Sequence, residues 1–266
     1  MKWVFGFSLV LVTLYLAGLV LVYTQQRDLM YFPPTNYLSP VDVSLETAVE
    51  IPIQSETGDA LLAWWIGPQD GKPVVMFFHG NGSAVYSNHD IYRELSAKGY
   101  GVLGTAYPGY PGSEGTPTEA ALVAAAQAQY DYMIDQGVSA DNIVFYGTSL
   151  GAGVAAQLSK THKPSLVIME APFTSALDMA RTMIKIYPVS LLMKDKFPSE
   201  RALKGSGIPL LWLHGTNDTI IPHTMGQQLF ENYDGPKTPH VIEGGQHNNL
   251  WFLGGREIIL EALASQ

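Results

Sequence analysis

Gly147-Thr148-Ser149-Leu150-Gly151 stands where a strand should hand over to a helix. Before it, Asn142 to Tyr146 is a short β-branched and aromatic run; after it, Ala152 to Ser159 is rich in small, helix-compatible residues. A serine hydroxyl is a weak nucleophile in water, so an enzyme that uses one must expose it, take its proton and stabilise the oxyanion that forms. Gly-x-Ser-x-Gly in a strand-to-helix turn meets the first need. The strained turn pushes the serine outward, and the flanking glycines admit neighbouring backbone without a Cβ clash. The start of the following helix offers free N–H groups, and that of Leu150 would point at a developing negative charge. In a chain with 26 glycines the bare pattern recurs by chance; its setting is what makes Ser149 the candidate nucleophile.

Outward from this turn the chain alternates strands and helices. Val74-Val75-Met76-Phe77-Phe78 is apolar throughout, as a strand buried on both faces of a parallel sheet is. It ends in His79-Gly80-Asn81-Gly82, a polar loop at the carboxyl edge where ligand chemistry collects in open α/β sheets. Val102 to Tyr107, Leu166 to Glu170, Pro209 to Leu213 and a stretch near His240 to Ile242 repeat the strand pattern, with helices expected over 87–98, 118–136, 225–232 and at the end of the chain. Val49 to Ile66 reads as a hairpin around Glu56-Thr57-Gly58-Asp59. The alternation predicts βαβ units, a mainly parallel sheet flanked by helices, and one α/β domain over 45–266.

Two segments depart from the rhythm. Between 172 and 207, helical apolar spacing at Leu177, Ala180, Met183, Ile184 and Tyr187 is followed by Pro188 and Leu191-Leu192-Met193. These helices read either as plain cover for the sheet or as a small lid whose Met and Leu side chains form an adaptable apolar wall for an acyl group. At the other end, Trp3 to Tyr23 is an uninterrupted uncharged run that as a helix would span about 30 Å, the thickness of a bilayer's hydrocarbon core. A cleaved secretory signal is the competing reading, but Tyr15 fits poorly upstream of the only small pair, Ala17-Gly18. An uncleaved anchor over 1–24 is therefore expected, with membrane lipid as a partner. The Pro-containing stretch 25–44 is expected to be an extended tether. Lys2 precedes the run, whereas Arg27 after it is offset by Asp28; this bias places the N-terminus inside and the folded domain on the non-cytoplasmic, periplasmic side.

Composition removes other classes. Twenty-four acidic against 15 basic residues give a net charge of −9, which argues against nucleic acid as a partner. The absence of cysteine excludes disulfides, thiol catalysis and cysteine-ligated zinc. Neither metal-ligand spacing nor a dinucleotide loop in its required setting occurs, so no cofactor or metal is implied.

Ser149 needs a base, and histidine is the side chain that changes charge near neutral pH. Of the seven histidines, His79 and His214 each precede a glycine at a strand end and read as turn organisers, while His89, His162 and His223 lie in or beside helices and His240 in or beside a strand. His247 lies in Gly244-Gly245-Gln246-His247-Asn248, a loop after the last strand that can present an imidazole at the carboxyl edge. The imidazolium then needs a carboxylate. Asp218, in the polar loop after the preceding strand, is the first choice and Glu170, at the end of its own strand, the rival; both give the chain order serine, acid, histidine. The second oxyanion donor is expected to be the backbone N–H of Asn81, with Gly82 close behind.

Together, His79-Gly80-Asn81-Gly82, the Tyr-Pro-Gly-Tyr-Pro-Gly-Ser-Glu-Gly loop at 107–115, Gly147 to Gly151, Ala171-Pro172-Phe173-Thr174-Ser175, His214-Gly215-Thr216-Asn217-Asp218 and Gly245-Gln246-His247-Asn248 resemble the α/β-hydrolases, and more narrowly the single-pass, membrane-anchored serine hydrolases of the ABHD type. The resemblance covers about residues 25 to 262. It implies Ser149 as nucleophile, Asp218 as acid, His247 as base and oxyanion donors near Asn81 and Leu150. Family members are esterases, thioesterases, lipases or peptidases, so the fold does not fix the substrate. The expected reaction is hydrolysis of an ester or thioester on a lipid-like or acylated substrate; a serine peptidase and a non-catalytic membrane-tethered binding module are the alternatives.

Overall fold

The computed structural model describes residues 2–69 and 71–266. Eight strands among these form one sheet: β1 (Val49–Gln54), β2 (Ala60–Ile66), β3 (Val74–Phe78), β4 (Gly101–Gly104), β5 (Ile143–Thr148), β6 (Leu166–Glu170), β7 (Leu210–Gly215) and β8 (Lys237–Ile242). Their order is β1-β2-β4-β3-β5-β6-β7-β8, antiparallel from β1 to β4 and parallel from β4 to β8. The helices are α1 (Lys2–Gln25), α2 (His89–Ala97), α3 (Glu119–Asp135), α4 (Leu150–Leu158), α5 (Ala176–Met183), α6 (Val189–Leu192), α7 (Ser199–Leu203), α8 (His223–Asn232) and α9 (Gly255–Ala264).

The apolar strands are apolar because each feeds two cores. Val74, Met76 and Phe78 of β3 join one cluster with residues of α3, α4 and α7, while Val75 and Phe77 join a second with Tyr92 and Leu95 of α2 and Ile259 and Leu263 of α9. Side chains alternate across the sheet and helices cover both faces, so every position of β3 is buried.

Two elements are shorter than their sequence pattern. The run Val102 to Tyr107 leaves the sheet after Gly104, because the amide side chain of Gln129, wholly buried on α3, takes over the pairing. Gln129 Oε1 accepts from Ala106 N–H (2.7 Å) and its Nε2 donates to the Ala106 carbonyl (2.9 Å). The helical spacing that runs on to Tyr187 ends as helix at Met183, and residues 184–188 are not helical. Pro188 disfavours helix in the residue before it, and Tyr187 is instead spent on a contact with α1, its ring 5.2 Å from that of Tyr15. α1 is long and apolar enough to cross a membrane.

Candidate active site

Ser149 joins β5 to α4 with φ 53° and ψ −116°, a conformation that few non-glycine residues adopt. The surroundings hold it there. Its N–H donates to the Glu170 carbonyl (2.9 Å), and its own carbonyl accepts from Ala152 N–H (3.0 Å). A Cβ on Gly147 would lie 2.5 Å from the Gly151 carbonyl oxygen, and one on Gly151 would overlap the Phe78 carbonyl. Only glycine at both positions lets α4 start this close to β3 and β5. Leu150 is the first residue of α4, and its N–H has no acceptor among the described residues.

His247 Nδ1 donates to Asp218 Oδ2 at 2.7 Å. The Asp218 side chain is buried, and its Oδ1 accepts from the N–H groups of Ile220 and Ile221, both at 2.9 Å. His214, buried at the end of β7, places Nε2 between the Ile221 carbonyl (3.1 Å) and Asp218 Oδ2 (3.3 Å). Burial alone would raise the Asp218 pKa, but hydrogen bonds from His214, His247 and Ile221 outweigh it and hold the carboxyl below the usual carboxylate range. Asp218 is thus an anion that fixes one imidazole nitrogen of His247 as donor, and Nε2 has no hydrogen-bond partner among the described residues.

Glu170, the rival acid, is turned to another use. It accepts a 2.5 Å hydrogen bond from the Tyr146 hydroxyl, and burial raises its pKa above the ordinary carboxylate value. No hydrogen bond links it to His247 among the described residues. Among the described residues, the carboxylate bonded to the His247 ring is that of Asp218.

The loop after β3 is held by side chains whose role its composition did not reveal. Asn81 Oδ1 accepts from Phe32 N–H (2.9 Å) and the Tyr110 hydroxyl (2.8 Å), and its Nδ2 donates to the Met30 carbonyl (2.6 Å). His79 packs its ring 4.1 Å from that of Tyr107 and donates Nδ1–H to the Gly80 carbonyl (2.9 Å). Burial pushes the His79 imidazole down to about 4, so it is neutral at pH 7 and organises this turn. The backbone N–H of Asn81 has no acceptor among the described residues, nor does that of Gly82.

Ser149, Leu150, Asn81 and His247 line one cavity of about 870 Å³. Ser149 Oγ makes no hydrogen bond among the described residues, so serine and histidine share the cavity without being joined. The rest of the wall is largely apolar. Met179, Met183, Leu192 and Met193 come from α5, α6 and the residue after it, and Val22 and Tyr23 from α1. The part played by α1 had no signal in the local sequence, since the contacting residues are more than 150 positions apart.

Comparison with known proteins bears on the fold. Residues 73–200 match a family model described as alpha/beta hydrolase fold. An uncharacterized protein of Mycobacterium tuberculosis is 29% identical over 257 residues, covering 95% of this chain and 91% of that protein. The lysophosphatidylserine lipase ABHD12 of Danio rerio is 28% identical over 187 residues, covering 61% of this chain and 48% of that protein. Among solved structures, an esterase of Pyrococcus furiosus superposes with a TM-score of 0.70 at 21% identity, covering 88% of this chain and 96% of that one. The chain has the α/β-hydrolase fold, and in sequence it resembles the ABHD-type hydrolases.

Proposed function

We propose that this hydrolase cleaves carboxylic ester or thioester bonds of lipid-like or acylated substrates through Ser149, His247 and Asp218. The observation that carries the reading is the convergence on one cavity of a strained serine, a histidine already bonded to a buried aspartate, and two backbone N–H groups without acceptors among the described residues. His247 Nε2 takes the Ser149 proton as Oγ attacks the acyl carbonyl. The oxyanion accepts hydrogen bonds from the N–H groups of Leu150 and Asn81, and His247 returns the proton to the departing alkoxide or thiolate. Water, deprotonated by the same imidazole, then attacks the acyl-enzyme and releases the acid and free Ser149. Asp218 stays ionised throughout and balances the imidazolium. The serine–histidine hydrogen bond missing here is one that forms as substrate fills the site.

The Met- and Leu-lined wall favours an acyl chain over a peptide, and α1 supplies a membrane anchor for the same reading. A fluorophosphonate probe tests the core of the proposal. Wild type should be labelled on Ser149, located by mass spectrometry, and folded Ser149→Ala should be neither labelled nor active. Full activity in that variant would sink the reading.

A further inference from the structure

α1 does not stand clear of the catalytic fold. The Tyr15 hydroxyl donates to the Ile186 carbonyl (3.2 Å), and Gly18 leaves the space that the Tyr187 hydroxyl fills, since a Cβ there would overlap it. Further along, Gln26 Nε2 donates to the Leu192 carbonyl (3.2 Å), Gln26 Oε1 accepts from Lys194 N–H (2.7 Å), and Arg27 pairs with Asp195 (2.9 Å). Residues 186–195 therefore run beside α1 from Tyr15 onward and beside Gln26 and Arg27, which follow it. At about 1.5 Å per residue, Tyr15 lies roughly 15 Å up the helix from Gln25.

The outer side of this segment is bare. Met183 is 76% exposed, Ile186 69% and Leu191 83%, and the sole charge from Met183 to Leu192 is Lys185. Met183 also lines the cavity that holds Ser149, and so do the exposed Leu29, Phe32 and Phe252, so exposed apolar side chains contribute to its rim. Below the tip the chemistry changes. Lys194 places Nζ 4.4 Å from the centre of the Tyr23 ring, a pairing of aromatic and cation that suits the headgroup level. Arg181 is paired with Asp178 (2.9 Å), and the long stem of Lys185 lets its charge reach toward the headgroup level.

We propose that residues 183–191 are immersed in the hydrocarbon of the leaflet that holds the C-terminal half of α1, so that the cavity opens into lipid and takes acyl substrates laterally from that leaflet. This rests on the membrane-anchor part of the reading above. The occupant of the bare surface is set by continuity: α1 touches the tip at Tyr15 and Gly18, within its own apolar run, so a bilayer that surrounds α1 at that depth must also surround the tip. Three exposed apolar side chains beside a lipid-facing helix are an interaction surface that water would disfavour.

The chain contains no cysteine, so single sites can be labelled in the full-length protein. Leu9→Cys in α1, Ile186→Cys and Leu191→Cys in the tip, and Glu56→Cys in the β1–β2 turn would each carry an NBD fluorophore in phosphatidylcholine–phosphatidylglycerol vesicles. Probes at 9, 186 and 191 should be quenched by lipids bearing a nitroxide on the acyl chain and shielded from aqueous dithionite, with the reverse at 56. Shielding at 9 with free access of dithionite to 186 and 191 would overturn the inference and leave the anchor standing. Free access at all three would overturn the anchor as well. Separately, the double variant Ile186→Asp, Leu191→Asp should lose at least about tenfold in turnover of a long-chain ester embedded in vesicles, relative to turnover of a soluble short-chain ester. An unchanged ratio of the two rates would also overturn the inference, and that ratio is insensitive to partial misfolding.

Discussion

Asp218 receives more than one imidazole, and this decides what its replacement should do. Asp218→Asn keeps the shape but presents an NH₂ group or a neutral carbonyl where His247 and His214 expect a carboxylate. The tautomer of His247 is then no longer fixed, and kcat on an ester should fall by about ten-thousandfold while the fold persists by circular dichroism. Glu170→Gln, which disturbs only the bond to Tyr146, should cost far less, and the comparison tests the assignment of the acid. His79 makes a different prediction. Its folded pKa of about 4 lies below the unfolded value of about 6.5, so its neutral burial contributes stability in full above that value. As pH falls from about 6.5 to 4 the unfolded chain takes up a proton that the folded chain refuses, and the contribution is lost. Thermal unfolding should show Tm declining across that window, and His79→Phe should flatten the decline. At this scale the sequence disclosed Ser149, Asp218 and His247 as candidates through short motifs, each beside a strand end. It did not disclose the clamp by Asn81, because Met30, Phe32 and Tyr110 are brought to it from distant positions.

Elements were legible where local propensity and tertiary demand coincide. β3 and β6 fall on the residues their apolar runs predict, because a strand buried on both faces leaves no polar position to blur the pattern. α3 likewise begins where the sequence places it, with Thr118 Oγ1 accepting from Ala121 N–H (3.0 Å) as the cap. The strand pattern outruns β4 because Thr105-Ala106-Tyr107 is as strand-like as its neighbours, and only the arrival of Gln129 from α3 removes it from the ladder. That substitution of side chain for strand is testable. Gln129→Met keeps the volume but leaves the Ala106 N–H and C=O buried without partners, and should lower stability by about 2–4 kcal/mol in urea unfolding. A loss within a few tenths would show that the backbone at 106 finds other partners.

Across the whole molecule, the cavity that holds Ser149 and His247 is a joint product of the sheet edge, α5 with α6, and α1. Its apolar wall predicts chain-length selection. Met179→Trp should reduce kcat/KM for long-chain esters by at least about tenfold while sparing acetyl and butyryl esters, measured over a chain-length series. Equal loss at every length would detach the wall from specificity. The sequence by itself determined the fold class: apolar runs of strand length with helices between them specify a mainly parallel α/β sheet, and a glycine-framed serine marks the candidate nucleophile, because periodicity and turn chemistry are local. Only the tertiary structure decided between Asp218 and Glu170 as partner of His247, and only it brought α1 against residues 186–195. Both are matters of distance between segments remote in the chain, which local pattern does not encode.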